Sequence, residues 1–198
     1  MQFEQAYLFV IKKLEKELPA WLSYHNVQHT IDVVEAVQYI SKGEKVTTKE
    51  YLLLSTAAAF HDVGFVEGYE HHEKISCKIA RACLPQFDYN ADEIEIICEL
   101  IMVTETPQTP KNHLQRILCD ADLLYLGTDK YHTIAEMLFK EFTYKGIIKN
   151  RHEWDERQGK FLKLHRYFTK TAALDYDKKK DENLKQLVSS EVKNDSIS

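Results

Sequence analysis

The sequence TTKEYLLLSTAAAFHDVG, residues 47–64, predicts a helix that is buried on nearly every side and ends in two ionisable groups. Thr47 followed by Glu50 is typical of a capping box, in which each side chain satisfies a backbone N–H group at the start of a helix. The run after Glu50 is apolar around the whole helix, so neighbouring segments must cover every face. His61 and Asp62 therefore end a core helix, and we expect Gly64 to stop it.

Apolar residues recur at helical spacing on both sides of this segment. Asn90 with Glu93 forms a second capping-box pattern and predicts another helix start. Six glycines and four prolines are few for a turn-rich β-sandwich or barrel. The sequence therefore predicts an all-α helical bundle, with further helices in the stretches Phe3–Leu18, Val27–Ile40, Glu70–Leu84, Lys111–Leu126, Tyr131–Tyr144 and His152–Leu174.

The length of 198 residues, with 44% hydrophobic and 29% charged residues, fits one folded domain rather than a disordered chain. We expect this domain to cover residues 1–176. The composition then becomes strongly charged, which predicts a flexible tail over residues 177–198. The alternative is a short helical segment that docks through Leu184, Leu187 and Val188.

Charge and hydropathy limit the partners. A net charge of −5 argues against an extended basic surface for nucleic acid and leaves a small phosphorylated ligand as the expected partner. The apolar run Tyr51–Phe60 is about half of the roughly 20 residues that a membrane-spanning helix needs. The first residues lack the pattern of an export signal, so we expect a cytoplasmic protein with no membrane partner. The sequence does not indicate an oligomeric state.

The four cysteines and four of the nine histidines carry no recognisable motif. No C-x-x-C pair occurs, which favours reduced cysteines that act as small hydrophobic residues. Four histidines in polar or mixed surroundings are predicted to lie on the surface, namely His113, His132, His152 and His165.

Four polar residues stand apart because they interrupt segments that otherwise look like core, and these are His29, His61, Asp62 and Asp122. Burial of ionisable groups without partners costs several kcal/mol, comparable with the whole stability of a domain. A shared divalent cation is one solution, since imidazole nitrogen and carboxylate oxygen are ordinary metal ligands.

Four short blocks in this order resemble the HD-domain superfamily of metal-dependent phosphohydrolases, and they are Tyr24–Thr30, Phe60–Gly64, His72–Ser76 and Asp120–Leu124. The resemblance covers about residues 21–127. It implies an all-helical bundle that holds one metal ion. Carried over residue by residue, it implies the metal ligands His29, His61, Asp62 and Asp122.

Two choices within these blocks depend on helical geometry. Asp120 and Asp122 are roughly 200° apart around a helix, so only one of them faces the ion. Asp122 has apolar neighbours on the helical wheel, whereas Asp120 lies one turn from Arg116 and is expected to form an ordinary ion pair. His25 precedes the ligand His29 by one turn, and we expect it either to contact substrate or to pack near the helix start.

The block after the HD pair supplies candidates for catalysis. Its resemblance to the family implies that His72 or Glu73, beside the catalytic aspartate Asp62, handles a proton or holds a water. Which of the two acts stays open, and Glu73 at a helix start also complements the helix dipole. Lys74 is the candidate for contact with a substrate phosphate.

The function that the resemblance implies is hydrolysis of a phosphoester of a nucleotide or another small phosphorylated metabolite by a metal-activated water. The ligand types suit Mn, Fe, Co, Ni, Zn or Mg. One alternative is a di-iron oxygenase, which needs two more histidine ligands, and the segment after Thr104 lacks such a histidine. Another is a nucleotide-binding module that a metal stabilises and that has no turnover.

Overall fold

The computed structural model describes residues 1–195, and the side chains of residues 1–189. Every regular element in that part of the chain is a helix, which confirms the predicted all-α class. The chain divides into two compact units, Met1–Asp122 and a second one that begins at Leu123. The expected domain limit at residue 176 does not coincide with the boundary after Asp122. Residue 176 lies inside the helix Lys170–Asp195.

The first unit is built around one buried helix. That helix, α3, contacts α1, α2, α5 and α6, and all its residues from Leu53 to Phe60 are buried. The helices of this unit are α1 Phe3–Glu17, α2 Val27–Glu44, α3 Thr48–Phe60, α4 His72–Cys83, α5 Ala91–Met102 and α6 His113–Asp122, with short 3-10 helices at Val63–Val66 and Leu84–Phe87.

Side-chain caps fix where the important helices begin. The capping boxes predicted for Thr47 and Asn90 are both present, at the starts of α3 and α5. At α2, the side chain of Asn26 accepts hydrogen bonds from the backbone N–H groups of Gln28 and His29. This cap places His29 in the first turn of α2, at the end of the helix that lies near His61 and Asp62.

Gly64 has a different role from the expected helix stop. It lies within the 3-10 helix Val63–Val66, where a Cβ atom would overlap the carbonyl oxygen of His72 and lie 2.8 Å from the backbone nitrogen of Ser76. Its own N–H donates to Ser76 Oγ at 2.8 Å, and that hydroxyl donates to the carbonyl of His61 at 2.7 Å. Glycine therefore lets α4 pack directly against the end of α3.

Helix α6 is shorter than the predicted stretch from Lys111 to Leu126. Asn112 accepts a hydrogen bond from the backbone N–H of Gln115 at 3.0 Å and so marks its start. The helix ends at Asp122, and the next element, a 3-10 helix at Leu124–Gly127, belongs to the second unit. Asp122 is therefore the last residue of its helix.

The second unit contains α7 Tyr131–Tyr144, α8 Arg151–Leu164 and α9 Lys170–Asp195. The predicted helix His152–Leu174 is interrupted between α8 and α9. The expectation of a flexible tail is wrong for residues 177–189, because they continue α9 and bury Lys180, Asn183 and Leu187. Asn183 Nδ2 also donates to the carbonyl of Leu126 at 2.9 Å. Residues 196–198 of the expected tail lie outside the described residues.

None of the described helices combines the length and the apolar character that a membrane crossing requires.

Candidate metal centre

Four side chains that the sequence singled out come together in the first unit. His29 comes from the first turn of α2, His61 and Asp62 directly follow α3, and Asp122 ends α6. Both histidines and Asp62 are buried, while 15% of the Asp122 side chain is exposed. The cluster therefore has a closed floor and an accessible edge at Asp122.

The distances within the cluster suit a common ion. The Nε2 atoms of His29 and His61 lie 3.2 Å apart, and Asp122 Oδ1 lies 3.4 Å and 3.6 Å from them, respectively. Asp62 Oδ2 lies 3.4 Å from His29 Nε2 and 3.2 Å from His61 Nε2. Ligand atoms that each lie about 2.1 Å from one ion are separated by about 3.0–3.4 Å at octahedral to tetrahedral angles. The separations of 3.2, 3.4 and 3.6 Å among His29, His61 and Asp122 are near this requirement, and these three residues form a group able to hold a metal ion. Asp62 contacts both imidazoles but does not belong to that group.

The orientation of His61 also fits a ligand. Its Nδ1 atom donates a hydrogen bond to the carbonyl of Ala58 at 2.8 Å, so the neutral ring carries its lone pair on Nε2. That lone pair faces the cluster. A ring held in this way through its other nitrogen is the usual arrangement of a metal-bound histidine.

Asp62 has a buried oxygen that lies beside the two imidazoles without a hydrogen bond to either. Its Oδ2 atom is buried and accepts no hydrogen bond among the described residues. Buried polar atoms without a partner are rare in folded proteins. Burial acts to raise the pKa of the Asp62 carboxyl, but the neighbouring His61, His29 and His72 outweigh it and hold that pKa well below its usual range. A carboxylate held ionised beside two imidazoles fits a cation ligand.

The electrostatics of His29 point the same way. Burial acts to lower the pKa of His29, but the carboxylates of Asp122 and Asp62 outweigh it and raise that pKa to about 10. In the metal-free protein the two carboxylates thus retain a proton on a fully buried ring. A divalent ion would replace that positive charge.

His72 lies at the edge of the cluster. Its Nε2 atom is 3.4 Å from Asp62 Oδ1 and 3.3 Å from Glu73 Oε1, and 20% of its side chain is exposed. Its Nδ1 atom donates to the carbonyl of Tyr69 at 3.3 Å. Burial acts to lower the pKa of His72, but Asp62 and Glu73 more than offset it and raise the pKa. His72 therefore lies beside the cluster, and the buried Glu73 contacts the same ring nitrogen of His72 that faces Asp62.

The two predicted substrate contacts are placed differently. The ring of His25 lies 5.9 Å from that of His29 and 4.6 Å from that of Phe65, which stacks on His72 at 3.9 Å between ring centroids. His25 is thus beside the cluster rather than within it. Lys74 is exposed on α4, and no described contact joins it to these residues.

The sequence argument for Asp122 over Asp120 was only partly right. Asp122 faces the two imidazoles, as expected, and with them forms the group able to hold a metal ion. Asp120, however, is fully buried. Burial therefore does not distinguish the two aspartates. The two aspartates differ in that the Asp122 side chain faces the two imidazoles and belongs to the group able to hold a metal ion.

One polar contact at the cluster was missed from the sequence. Gln108, in the loop between α5 and α6, donates through Nε2 to Asp122 Oδ2 at 3.0 Å. No motif marks this residue, which stands between Pro107 and Pro110 in an irregular segment. Thr104 in the same region donates to the carbonyl of Ile101 at 2.8 Å, a local contact at the end of α5.

Comparisons with known proteins name no function for this chain. No protein-family model matches it. It is 32% identical over 100 residues to an uncharacterized protein of Clostridium beijerinckii, an alignment that covers 48% of this chain and 63% of that protein. The chain thus spans less than two thirds of that protein's length. No solved structure matches.

Proposed function

We propose that this protein is a metal-dependent phosphohydrolase that cleaves a phosphoester of a nucleotide or another small phosphorylated metabolite. The observation that carries the proposal is the convergence of His29, His61 and Asp122 on one point, with Asp62 within 3.4 Å of both imidazoles. Imidazole nitrogen and carboxylate oxygen are ordinary donors to a divalent ion, so His29, His61 and Asp122, with Asp62 beside them, would hold one ion here.

The cluster residues would hold one divalent ion among Mn, Fe, Co, Ni, Zn and Mg. Such an ion, when bound, supplies a Lewis acid for a phosphoryl oxygen and lowers the pKa of water from about 16 toward 7. Among the described residues a single group of this kind occurs, which favours one ion over two. His29 and His61 bind as neutral rings, while Asp62 and Asp122 balance the charge of the ion.

His72 is the residue that we assign to proton transfer. Its Nε2 atom faces carboxylate oxygens of both Asp62 and Glu73, so this nitrogen carries a proton. The partly exposed ring is placed to donate that proton to the leaving oxygen of a substrate, a role typically worth about 10²–10⁴ in rate. Glu73, which is buried, orients the ring and helps to keep it protonated.

The remaining roles concern contacts with the substrate and the location of the protein. His25 lies against Phe65 beside His72, which supports contact with the substrate. The exposed position of Lys74 on α4 gives no such support, and its contact with a phosphate stays a prediction. A cytoplasmic location also stays a prediction from the sequence.

The decisive experiment adds each candidate ion in turn to the metal-free protein and measures phosphate release from a panel of nucleotides and simple phosphoesters. We expect release with at least one ion, and its loss in His61→Ala. His113→Ala is the matched control, since His113 is exposed at the far end of α6 and contacts Glu44. Stoichiometric metal binding without any release would instead indicate a binding module. Two irons per chain and a requirement for O₂ would indicate the oxygenase.

A further inference from the structure

The two oxygens of the Asp122 carboxylate have separate neighbours. Oδ1 faces the imidazoles of His29 and His61, at 3.4 Å and 3.6 Å. Oδ2 accepts the hydrogen bond from Gln108 Nε2 at 3.0 Å. The carboxylate is therefore held between the metal-binding cluster and an amide from the preceding loop.

The carboxylate also decides how the Gln108 amide is turned. In the opposite orientation the amide oxygen would face a carboxylate oxygen, and two acceptors repel each other. The amide nitrogen must therefore point to Asp122, which leaves Oε1 buried without a hydrogen-bond partner among the described residues. An unpaired buried acceptor is unfavourable for folding. Gln108 thus stabilises one orientation of the Asp122 carboxylate, while its own amide oxygen stays buried without a hydrogen bond.

Asp122 needs such a contact more than the other ligands do. His61 is buried and is held by the carbonyl of Ala58, and His29 is buried in a turn that Asn26 caps. Asp122 is the last residue of α6, and 15% of its side chain is exposed. Without a donor at Oδ2, the carboxylate at this helix end would be free to rotate away from the imidazoles.

We propose that Gln108 is a positioning residue that holds the Asp122 carboxylate so that Oδ1 points at the metal site. This inference rests on the proposed metal centre. Partners that orient a ligand from the second layer typically contribute about 10–100-fold to metal affinity. Gln108 itself does not contact the ion or the substrate.

Gln108→Met tests the proposal, because methionine keeps the length of the side chain and removes both amide groups. Titration of Mn²⁺ into the metal-free protein by calorimetry should give about 10–100-fold weaker binding than in the wild type. The thermal midpoint of the metal-free variant should stay the same or rise, because the unpaired buried oxygen is gone. A merely structural glutamine would lower that midpoint. Gln108→Ala should weaken Mn²⁺ binding in the same way.

Gln115→Met is the matched control. Gln115 is buried in α6, and its Oε1 accepts a hydrogen bond from the backbone N–H of Lys111 at 2.7 Å. This variant should lower the thermal midpoint and leave Mn²⁺ affinity unchanged. Equal Mn²⁺ affinity in the wild type and both Gln108 variants would overturn the role of Gln108 alone. Failure of the wild type to bind Mn²⁺ or any other ion of the series would overturn the metal centre itself.

Discussion

The Nε2 atoms of His29 and His61 lie 3.2 Å apart, although 32 positions separate the two residues along the chain. Since Nδ1 of His61 donates to Ala58, its Nε2 atom has no proton in the neutral ring. A proton on His29 or a cation between the rings must therefore bridge the pair. The carboxylates of Asp62 and Asp122 lie within 3.6 Å of both Nε2 atoms, so they favour a positively charged His29 or a cation at this position.

Removal of one ligand should abolish metal retention. His61→Ala and Asp122→Ala each take away one of the converging atoms, so we expect elemental analysis of the purified variants to find less than about a tenth of the wild-type metal. Helical content by circular dichroism should be nearly unchanged. Asp120→Asn is the control: it should lower stability by about 1–3 kcal/mol, since Asp120 is fully buried, and should retain the metal. Full occupancy in His61→Ala would contradict the assignment.

Metal binding should release a proton. The pKa of His29 is raised to about 10 in the metal-free protein, because the carboxylates of Asp122 and Asp62 outweigh burial. The ion competes with this proton, so affinity should rise about tenfold per pH unit between about pH 6 and 8. Calorimetry in two buffers of different ionisation enthalpy counts the protons released. A pH-independent affinity with no proton release would show that His29 does not bind the ion.

Gly64→Ala should separate α4 from the end of α3. A Cβ atom would overlap the carbonyl oxygen of His72, so either α4 or the segment that contains Gly64 must move. We expect this shift to lower the free energy of unfolding by about 1–3 kcal/mol. Because His72 moves with α4, phosphate release should fall more than metal affinity does. Gly159→Ala is the control in α8, where nothing lies within 4 Å of the added atom. It should stabilise the helix by about 0.5–1 kcal/mol. Equal stability of the two variants would refute the packing argument.

His165 should make stability depend on pH in mildly acidic solution. The sequence predicted a surface residue, but both ring nitrogens are buried without a hydrogen-bond partner among the described residues. Burial and the nearby Lys180 lower its pKa to about 4 from 6.5. The unfolded chain therefore binds the proton first, and stability is lost as the pH falls from about 6.5 to 4, by at most about 3 kcal/mol.

Urea unfolding at pH 7.5 and 4.5 measures this effect in the wild type and in His165→Phe. The variant should show a smaller loss of unfolding free energy at the lower pH, because its ring cannot take up a proton. His152→Gln, on the surface of α8, should keep the wild-type profile. An identical loss in all three proteins would rule out His165 as the source.

Local chemistry allowed most helices and most residues of the candidate metal centre to be predicted. Thr47 and Asn90 cap α3 and α5 through residues three positions away, a range over which sequence and structure are directly linked. His61 and Asp62 were identifiable because an apolar helix ends in them, and buried charge requires a partner. Such signals need only a few consecutive residues.

The tertiary structure alone decided the features that depend on distant segments. Asp120 and Asp122 lie two positions apart in α6, and the packing of α6 against α2 and α3 turns Asp122 toward the imidazoles. Gln108 has no local pattern, because its partner is a carboxylate 14 positions away. Gly64 resembles a helix stop in sequence but serves the close approach of α4. Spacing along a helix determines which residues share a face, whereas long-range packing determines what that face meets.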